Sequence, residues 1–374
     1  MKHYLSGGRG LITLAIGALS SVPASSLELF ADAANQTQVE MYGRIAPAAF
    51  VGTEKVYRNF YDEQSVIDDT RATLGVKGSV KETFWKLELD YDRMNFPGGS
   101  GDMELQVDKA YVGHKFNENH SLSFGLMNSA LDDVDRYGQT ALETMVELPT
   151  AQDQDQSIKY EVSYGPVVAA TSFSYKAESQ AGEAFGDTWN GYVGLEFNII
   201  GVRLGAENRT GSEGDSRFGK GRLYTIGARV SPLDNLTFKL NAYTLKTHLA
   251  QRAFLADGVT AVDLYTTDED RQGSLYRYNQ YEENEWQGSE FGVTYQVNDQ
   301  LTLSASWNYE ERDEWDRGSE YWTGNQEQYD EWGDSREWQT LTVRYMLNSD
   351  TELAVEASPG EAAQSGYSRI TVFF

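Results

Sequence analysis

Residues 129–155 are strongly acidic and could generate an electrostatic field. This stretch holds a single basic residue, Arg136, against seven acids: Asp132, Asp133, Asp135, Glu143, Glu147, Asp153 and Asp155. Four basic residues earlier in the chain form a complementary group: Arg44, Arg71, Lys77 and Lys86. Opposed carboxylates and cations supply no nucleophile. Where water reaches these groups, they attract ions of opposite charge and repel ions of like charge.

Covalent and metal chemistry have little support in the sequence. The chain has no cysteine, which excludes disulfides, thiolate metal sites and a cysteine nucleophile. It has four histidines but no G-x-S-x-G nucleophile elbow, so we expect no enzyme activity and no metal centre. Acidic external stretches such as 268–270 and 282–285 could hold Ca²⁺ or Mg²⁺ weakly, since hard cations take carboxylate oxygens, but a solvated surface is the favoured interpretation.

Charge and composition exclude further classes. The 374 residues include 57 acids and 31 bases, for a net charge of −26, which argues against a nucleic-acid partner. The aromatic content of 13% argues against a disordered acidic chain. No long apolar run follows residue 30, which excludes a helical membrane protein.

The first 33 residues have the pattern of a secretory signal peptide. Two basic residues precede the apolar run Leu11–Val22, and small residues end at Ala31-Asp32-Ala33. We predict cleavage after Ala33, leaving residues 34–374, with a cut after Ala24 as the less favoured alternative. A membrane anchor is disfavoured because the run is short and is followed by Pro23.

The remaining chain alternates apolar and polar residues with period two, which indicates strands with one apolar face. From Leu301 to Tyr309 the odd positions are Leu, Leu, Ala, Trp and Tyr, and the even positions are Thr, Ser, Ser and Asn. One strand has no consistent phase, because Leu105 and Val107 disagree with Ala110 and Val112. The pattern predicts about sixteen strands, near 39–52, 70–79, 84–94, 104–116, 121–128, 156–164, 167–176, 189–198, 202–210, 221–231, 236–247, 288–297, 301–312, 336–347, 351–358 and 366–374.

The connections alternate in length. Short turns occur at 117–120, 165–166, 232–235, 298–300 and 348–350, and the longest polar stretches between them are 129–155, 248–287 and 313–335. A soluble sandwich would carry long loops at both ends. We therefore predict an all-β protein, a transmembrane antiparallel β-barrel with short periplasmic turns and long external loops. Its inward charges require water, and sixteen strands leave a channel.

The chain ends on an alternating strand in which Ile370, Val372 and Phe374 share one face. A C-terminal aromatic in this position resembles the assembly signal of Gram-negative outer-membrane barrels. The resemblance implies export to the outer membrane, lipid and lipopolysaccharide as surroundings, and recognition by the barrel-assembly machinery.

Three short segments resemble the general diffusion porins of Gram-negative bacteria: Val39–Ile45, Arg71–Gly78 and Ala110–Gly113. The family implies a sixteen-stranded homotrimer whose third loop folds into the pore. The third loop of this chain lacks a Pro-Glu-Phe-Gly-Gly-like element, and Gly125–Asn128 replaces the usual Gly-Arg entry.

On this basis, 129–155 is the predicted constriction loop. We predict acidic pore residues at Asp132, Asp133, Asp135, Glu143 and Glu147, facing Arg44, Arg71, Lys77 and Lys86 on the wall. The alternative left open is that the acids form a solvated loop and the bases pair with neighbours such as Glu40 and Glu88.

The sequence therefore predicts passive diffusion of ions and small hydrophilic solutes, with modest cation selectivity. One alternative is a substrate-specific channel in which Tyr42, Tyr192, Tyr243 or aromatic residues of the loops guide a sugar or another organic solute. The other is a barrel that serves mainly as a surface adhesin or receptor.

Overall fold

The computed structural model describes residues 26–52, 65–93, 103–146, 148–149, 153–178, 184–210, 220–248, 252–255, 261–262, 275–279, 281–316, 335–359 and 365–374. Over these ranges the chain is antiparallel β-sheet with one short helix. No helix in the described part of the chain is long and apolar enough to cross a membrane.

Sixteen strands of the described chain close into one antiparallel barrel, which confirms the predicted fold. The first two barrel strands are interrupted: β2 (Thr37–Ala46) and β3 (Ala48–Gly52) flank Pro47, and β4 (Ser65–Asp68) and β5 (Arg71–Val80) flank a two-residue break. The others are β6 (Thr83–Arg93), β7 (Met103–Asn117), β8 (His120–Asn128), β9 (Asp153–Tyr164), β10 (Val167–Glu178), β11 (Ala184–Glu196), β12 (Ile200–Arg209), β13 (Lys220–Leu233), β14 (Leu236–His248), β18 (Tyr281–Gln296), β19 (Leu301–Asp316), β20 (Ser335–Asn348), β21 (Thr351–Ser358) and β22 (Ser365–Phe373).

The strands place apolar side chains outside and polar side chains inside. Trp307 and Val193 are about half exposed on the outer face, whereas Glu290 and Asn308 are fully buried on the inner face. This is the arrangement of a barrel in lipid, where the apolar band faces hydrocarbon and closure satisfies the backbone.

The predicted short turns lie together at one end of the barrel, joining β7 to β8, β9 to β10, β13 to β14, β18 to β19 and β20 to β21. Gly165 takes a positive φ of 58°, as a tight turn requires. At the other end, the predicted external loops 248–287 and 313–335 fall mostly outside the described residues. Three short strands there, β15 (Arg252–Leu255), β16 (Ala261–Val262) and β17 (Leu275–Asn279), form a small separate sheet.

A β-bulge explains the strand whose phase was inconsistent. Glu88 pairs with Lys109 but the next residue, Leu89, pairs with Val107, so Asp108 is an extra residue in β7. The bulge keeps both Val107 and Val112 on the outer face. Asp108 and Lys109 form an ion pair of 3.1 Å, although neighbours in a regular strand point to opposite faces.

The barrel closes where the last strand meets the first. β22 pairs with β3 and with Arg44 and Ile45 of β2, and Phe374 exchanges backbone hydrogen bonds of 2.7 and 3.0 Å with Gly43. The rest of this edge of β2, residues 37–42, pairs with β1 (Ser26–Asp32). β1 therefore continues the line of β22 along the seam.

This seam bears on the choice between the two predicted cleavage positions. A cut after Ala33 would remove β1 and leave six residues of β2 unpaired on the seam edge, whereas a cut after Ala24 would keep β1. An unpaired strand edge is costly in a membrane barrel, so we expect processing after Ala24. Intact mass and N-terminal sequencing of protein extracted from outer membranes should read Ser25-Ser26-Leu27. A mature chain starting at Ala34 would contradict this expectation.

The C-terminal aromatic can be tested separately. Phe374 lies on the outer face with Ile370 and Val372, and its ring covers Gly43, where an added Cβ would collide with it. We expect Phe374→Ser to slow insertion and leave unfolded protein in the periplasm. The measurement is the heat-modifiable fraction in membrane extracts, with Phe373→Ser as a control on the opposite face. Equal yields of wild type and Phe374→Ser would argue against an assembly signal.

Candidate functional site: the loop inside the barrel

The connection between β8 and β9 turns into the barrel and carries the helix α1 (Asp132–Gly138). Leu131 and Val134 are fully buried and pack against wall side chains, among them Leu223 and Leu245. The complete cluster is Leu131, Val134, Val146, Leu148, Leu223, Tyr243, Leu245 and Trp338, with Tyr192 and Trp286 at its edge. An apolar core thus lies within an otherwise polar lumen, and it holds the loop on the side of β13, β14 and β20.

One wall carboxylate accepts hydrogen bonds from three consecutive backbone N–H groups of the loop. Glu356 on β21 accepts hydrogen bonds from the backbone N–H groups of Leu142 at 2.6 Å, Glu143 at 3.0 Å and Thr144 at 2.8 Å. The hydroxyls of Thr144 and Thr342 each donate to it at 2.7 Å. A carboxylate has about four lone-pair sites, so five donors saturate both oxygens.

Other wall residues extend this anchoring. Glu290 on β18 accepts from the N–H of Thr140 at 2.9 Å and from its hydroxyl, and Asn308 on β19 accepts from the N–H of Val146 at 3.2 Å. Trp338 donates to the carbonyl of Thr144 at 3.2 Å. The wall therefore satisfies several backbone N–H and C=O groups of the loop where it crosses the lumen.

The helix is fixed at its middle and near its C-terminus. Asp135 accepts from the Leu148 N–H and from Asn241, each at 3.1 Å. The Tyr137 hydroxyl donates to Glu196 at 3.1 Å, and the Arg203 guanidinium lies 4.2 Å from the Tyr137 ring centroid. Burial, more than any neighbouring charge, raises the pKa of Tyr137 to about 12, so this phenol remains a hydrogen-bond donor at neutral pH.

The predicted acidic residues are not equivalent in the structure. Asp133 pairs with Lys159 of β9 at 2.8 Å, and Glu143 pairs with Arg71 at 3.4 Å. Asp132 accepts from Asn128, and Asp135 is buried among the hydrogen bonds that hold the loop. Glu147 lies outside the described residues.

The predicted basic residues also differ in the groups that they contact. Arg71 contacts both Asp69, at 3.0 Å, and Glu143, so it joins the wall to the loop. Arg44 donates to Thr73 at 3.1 Å. Of the predicted acid–base contacts across the lumen, Arg71–Glu143 is the one that the described contacts show.

The two lysines have carboxylate partners on neighbouring strands. Lys77 pairs with Glu40 and Lys86 with Glu88, each at 3.0 Å, as the alternative interpretation of the sequence had it. Tyr42 lies between the pairs: its hydroxyl donates to Glu88, and both ammonium groups lie 5.5 Å from its ring centroid. These five residues form a neutralised ladder on the wall of β2, β5 and β6.

The wall residues that accept the backbone N–H groups of the loop were not among the predicted site residues. Glu356, Glu290 and Asn308 occupy ordinary inward positions of alternating strands, so nothing in the local pattern marks them. Leu223 and Trp338 do leave a signal, because they place large apolar groups on faces that are otherwise polar. Within the described residues, no group of three or more acidic or histidine side chains is arranged to hold a metal ion.

Several solved structures share this architecture. Salmonella typhi OmpF in complex with daunomycin superposes with a TM-score of 0.64, at 14% identity, over 93% of this chain and 100% of that one. The chain has the fold of the sixteen-stranded porins.

Two more distant structures share this porin fold. The anion-selective porin from Comamonas acidovorans gives a TM-score of 0.59 at 12% identity, covering 90% of this chain and 100% of that one. The trimer form of OmpT, an outer membrane protein of Vibrio cholerae, gives a TM-score of 0.58 at 11% identity. The match covers 90% of this chain and 99% of that one. No protein-family model matches the sequence, and no curated protein does.

The anchoring by Glu356 predicts a measurable effect on the loop. Glu356→Gln removes the charge and half of the acceptor capacity, which should weaken docking of the loop by about 2 kcal/mol. In single-channel recordings we expect larger open-state noise and a higher mean conductance. The matched control is Glu40→Gln, which neutralises a wall carboxylate that contacts Lys77 rather than the loop. Identical noise in the two variants, both heat-modifiable, would show that Glu356 does not hold the loop.

Proposed function

We propose that the chain forms a water-filled channel in the outer membrane of a Gram-negative bacterium, through which ions and small hydrophilic solutes diffuse passively. The observation that carries this proposal is the charged inner face. The side chain of Lys77 is 51% exposed and that of Arg71 is 36% exposed, although both point into the barrel. Charged groups retain such exposure inside a closed barrel only where water reaches them.

The neighbouring structures support the same proposal. One is an anion-selective porin and another is an outer membrane protein in trimer form. We accordingly propose that this chain assembles as a homotrimer, embedded in lipid and lipopolysaccharide after insertion by the barrel-assembly machinery. Weak Ca²⁺ or Mg²⁺ binding at the acidic external loops remains part of the proposal.

We further propose modest cation selectivity at low salt. The net charge of −26 and the acids of the constriction loop give the mouth a negative potential, which concentrates cations and weakens as salt rises. The pairing of Asp133 with Lys159 and of Glu143 with Arg71 reduces this potential, which is why the preference is modest rather than strong.

The alternatives receive less support from the geometry. Tyr243 is buried in the cluster beneath the loop and donates to Glu310, and Tyr192 packs at the edge of the same cluster, so two of the three tyrosines suggested for guiding a sugar contribute to anchoring. The loops that an adhesin would present lie mostly outside the described residues. As for an enzyme, His114 contacts Thr83 and His120 contacts Tyr160, neither of which completes a Ser–His–acid arrangement.

Reversal potentials in a salt gradient test the selectivity. Asp132→Asn combined with Asp133→Asn removes two loop charges and leaves Asp135, which the fold needs. We expect the cation-to-anion permeability ratio to fall by roughly twofold, since partly exposed charges contribute below about 1 kcal/mol each. Arg44→Gln, made as an opposite control, should raise the ratio. Anion preference of the wild type at low salt, or no response to the double change, would refute the proposal.

A further inference from the structure

Two guanidinium groups share one carboxylate on the inner wall near the seam. Arg344 of β20 lies 3.8 Å from Glu352 of β21, and Arg369 of β22 lies 3.5 Å from the other oxygen of the same carboxylate. Glu352 is almost fully buried. The cluster therefore carries one positive charge in excess.

Several hydrogen-bond donors of this cluster have no acceptor among the described residues. They are the Nε–H groups of Arg344 and Arg369 and the hydroxyl of Thr371. Thr371 is 2% exposed and lies on the same face of β22 as Arg369. Thr371 is also the direct cross-strand partner of Glu352. Buried donors without partners are costly, so their convergence points to an acceptor that occupies the site part of the time.

The cluster lies just past the constriction, on the side of the short turns. Glu356, which holds the loop, is four residues farther from the Ser349-Asp350 turn than Glu352 is, or about 13 Å along the strand. The side chains of Arg344 and Arg369 are 24% and 16% exposed, so a solute in the lumen can reach them. Nearby on β2, Arg44 donates to Thr73 and has no ion-pair partner among the described residues.

We propose that Arg344, Arg369 and Thr371 form a transit site for small oxyanions, such as the carboxylate of an organic acid or a phosphate. A guanidinium presents parallel N–H donors that match two oxygens of such a group, and two guanidiniums with a hydroxyl supply more donors than Glu352 accepts. Glu352 offsets part of the charge, which keeps binding weak enough for release, as conduction requires. This proposal rests on the proposed channel function and adds a solute class to it.

The test is block of single-channel current by citrate and by inorganic phosphate added on the turn side of the inserted protein. Wild type should show concentration-dependent interruptions with each probe. Arg344→Gln combined with Arg369→Gln should weaken the apparent affinity by roughly tenfold, because both guanidiniums are partly exposed to water and each contributes less than a fully buried charge would. Glu352→Gln should strengthen it, because the competing charge is removed.

The matched control is Lys77→Gln, which also removes one lumen cation but from a paired site on β5. It should change the affinity by less than about twofold. Channels of normal conductance that citrate and phosphate block equally in wild type and in the double arginine variant would overturn the oxyanion site and leave the channel proposal standing. An equal loss of block in Lys77→Gln would also overturn the oxyanion site. That outcome would mean that the positive charge of the lumen as a whole, rather than the arginine cluster, attracts the anions. If the folded wild type conducts no current, the channel proposal itself fails.

Discussion

Backbone N–H groups of the loop between β8 and β9 need acceptors wherever the loop lies, and inside the barrel the wall supplies them. Glu356 takes three consecutive amides, Glu290 takes one and Asn308 takes another. Without these acceptors the loop would exchange its wall contacts for water and leave the lumen. The narrowing of the barrel, the placement of α1 and the position of the Arg71–Glu143 contact all depend on this set of hydrogen bonds.

The loop is anchored mainly on one part of the wall. The apolar cluster and most of the hydrogen-bonding residues lie on β11–β14 and β18–β21, so the loop packs against that half. The opposite strands β5–β7 carry paired charges such as Lys86–Glu88 and Asp108–Lys109. Several acids of the loop are committed to structure, and the field in the lumen is therefore weaker than the acidic composition of 129–155 implies.

The strands, their faces and the short turns could be predicted because each is a local property of the sequence. Alternation from Leu301 to Tyr309 needs no knowledge of any other strand. The loop contacts could not be predicted in the same way, because Glu356 meets Thr144 across more than two hundred residues and has the same local pattern as any inward acid. Lys77 and Lys86 show a related difficulty: their inward direction follows from the pattern, but their pairing with Glu40 and Glu88 depends on strand register.

The bulge in β7 shows how the inner wall of a barrel can gain an ionisable residue. In a pleated strand every second side chain points inward. A charged residue added to the inner wall therefore normally replaces an existing inward side chain, and its counter-ion normally lies on a neighbouring strand. At Asp108 a one-residue insertion supplies an acid directly beside Lys109, and the outward sequence of Leu105, Val107, Ala110 and Val112 still faces lipid. Single-residue insertions of this kind let the lumen acquire new ionisable groups while strand number and adjoining registers stay unchanged, which makes the inner surface evolvable independently of the membrane-facing one.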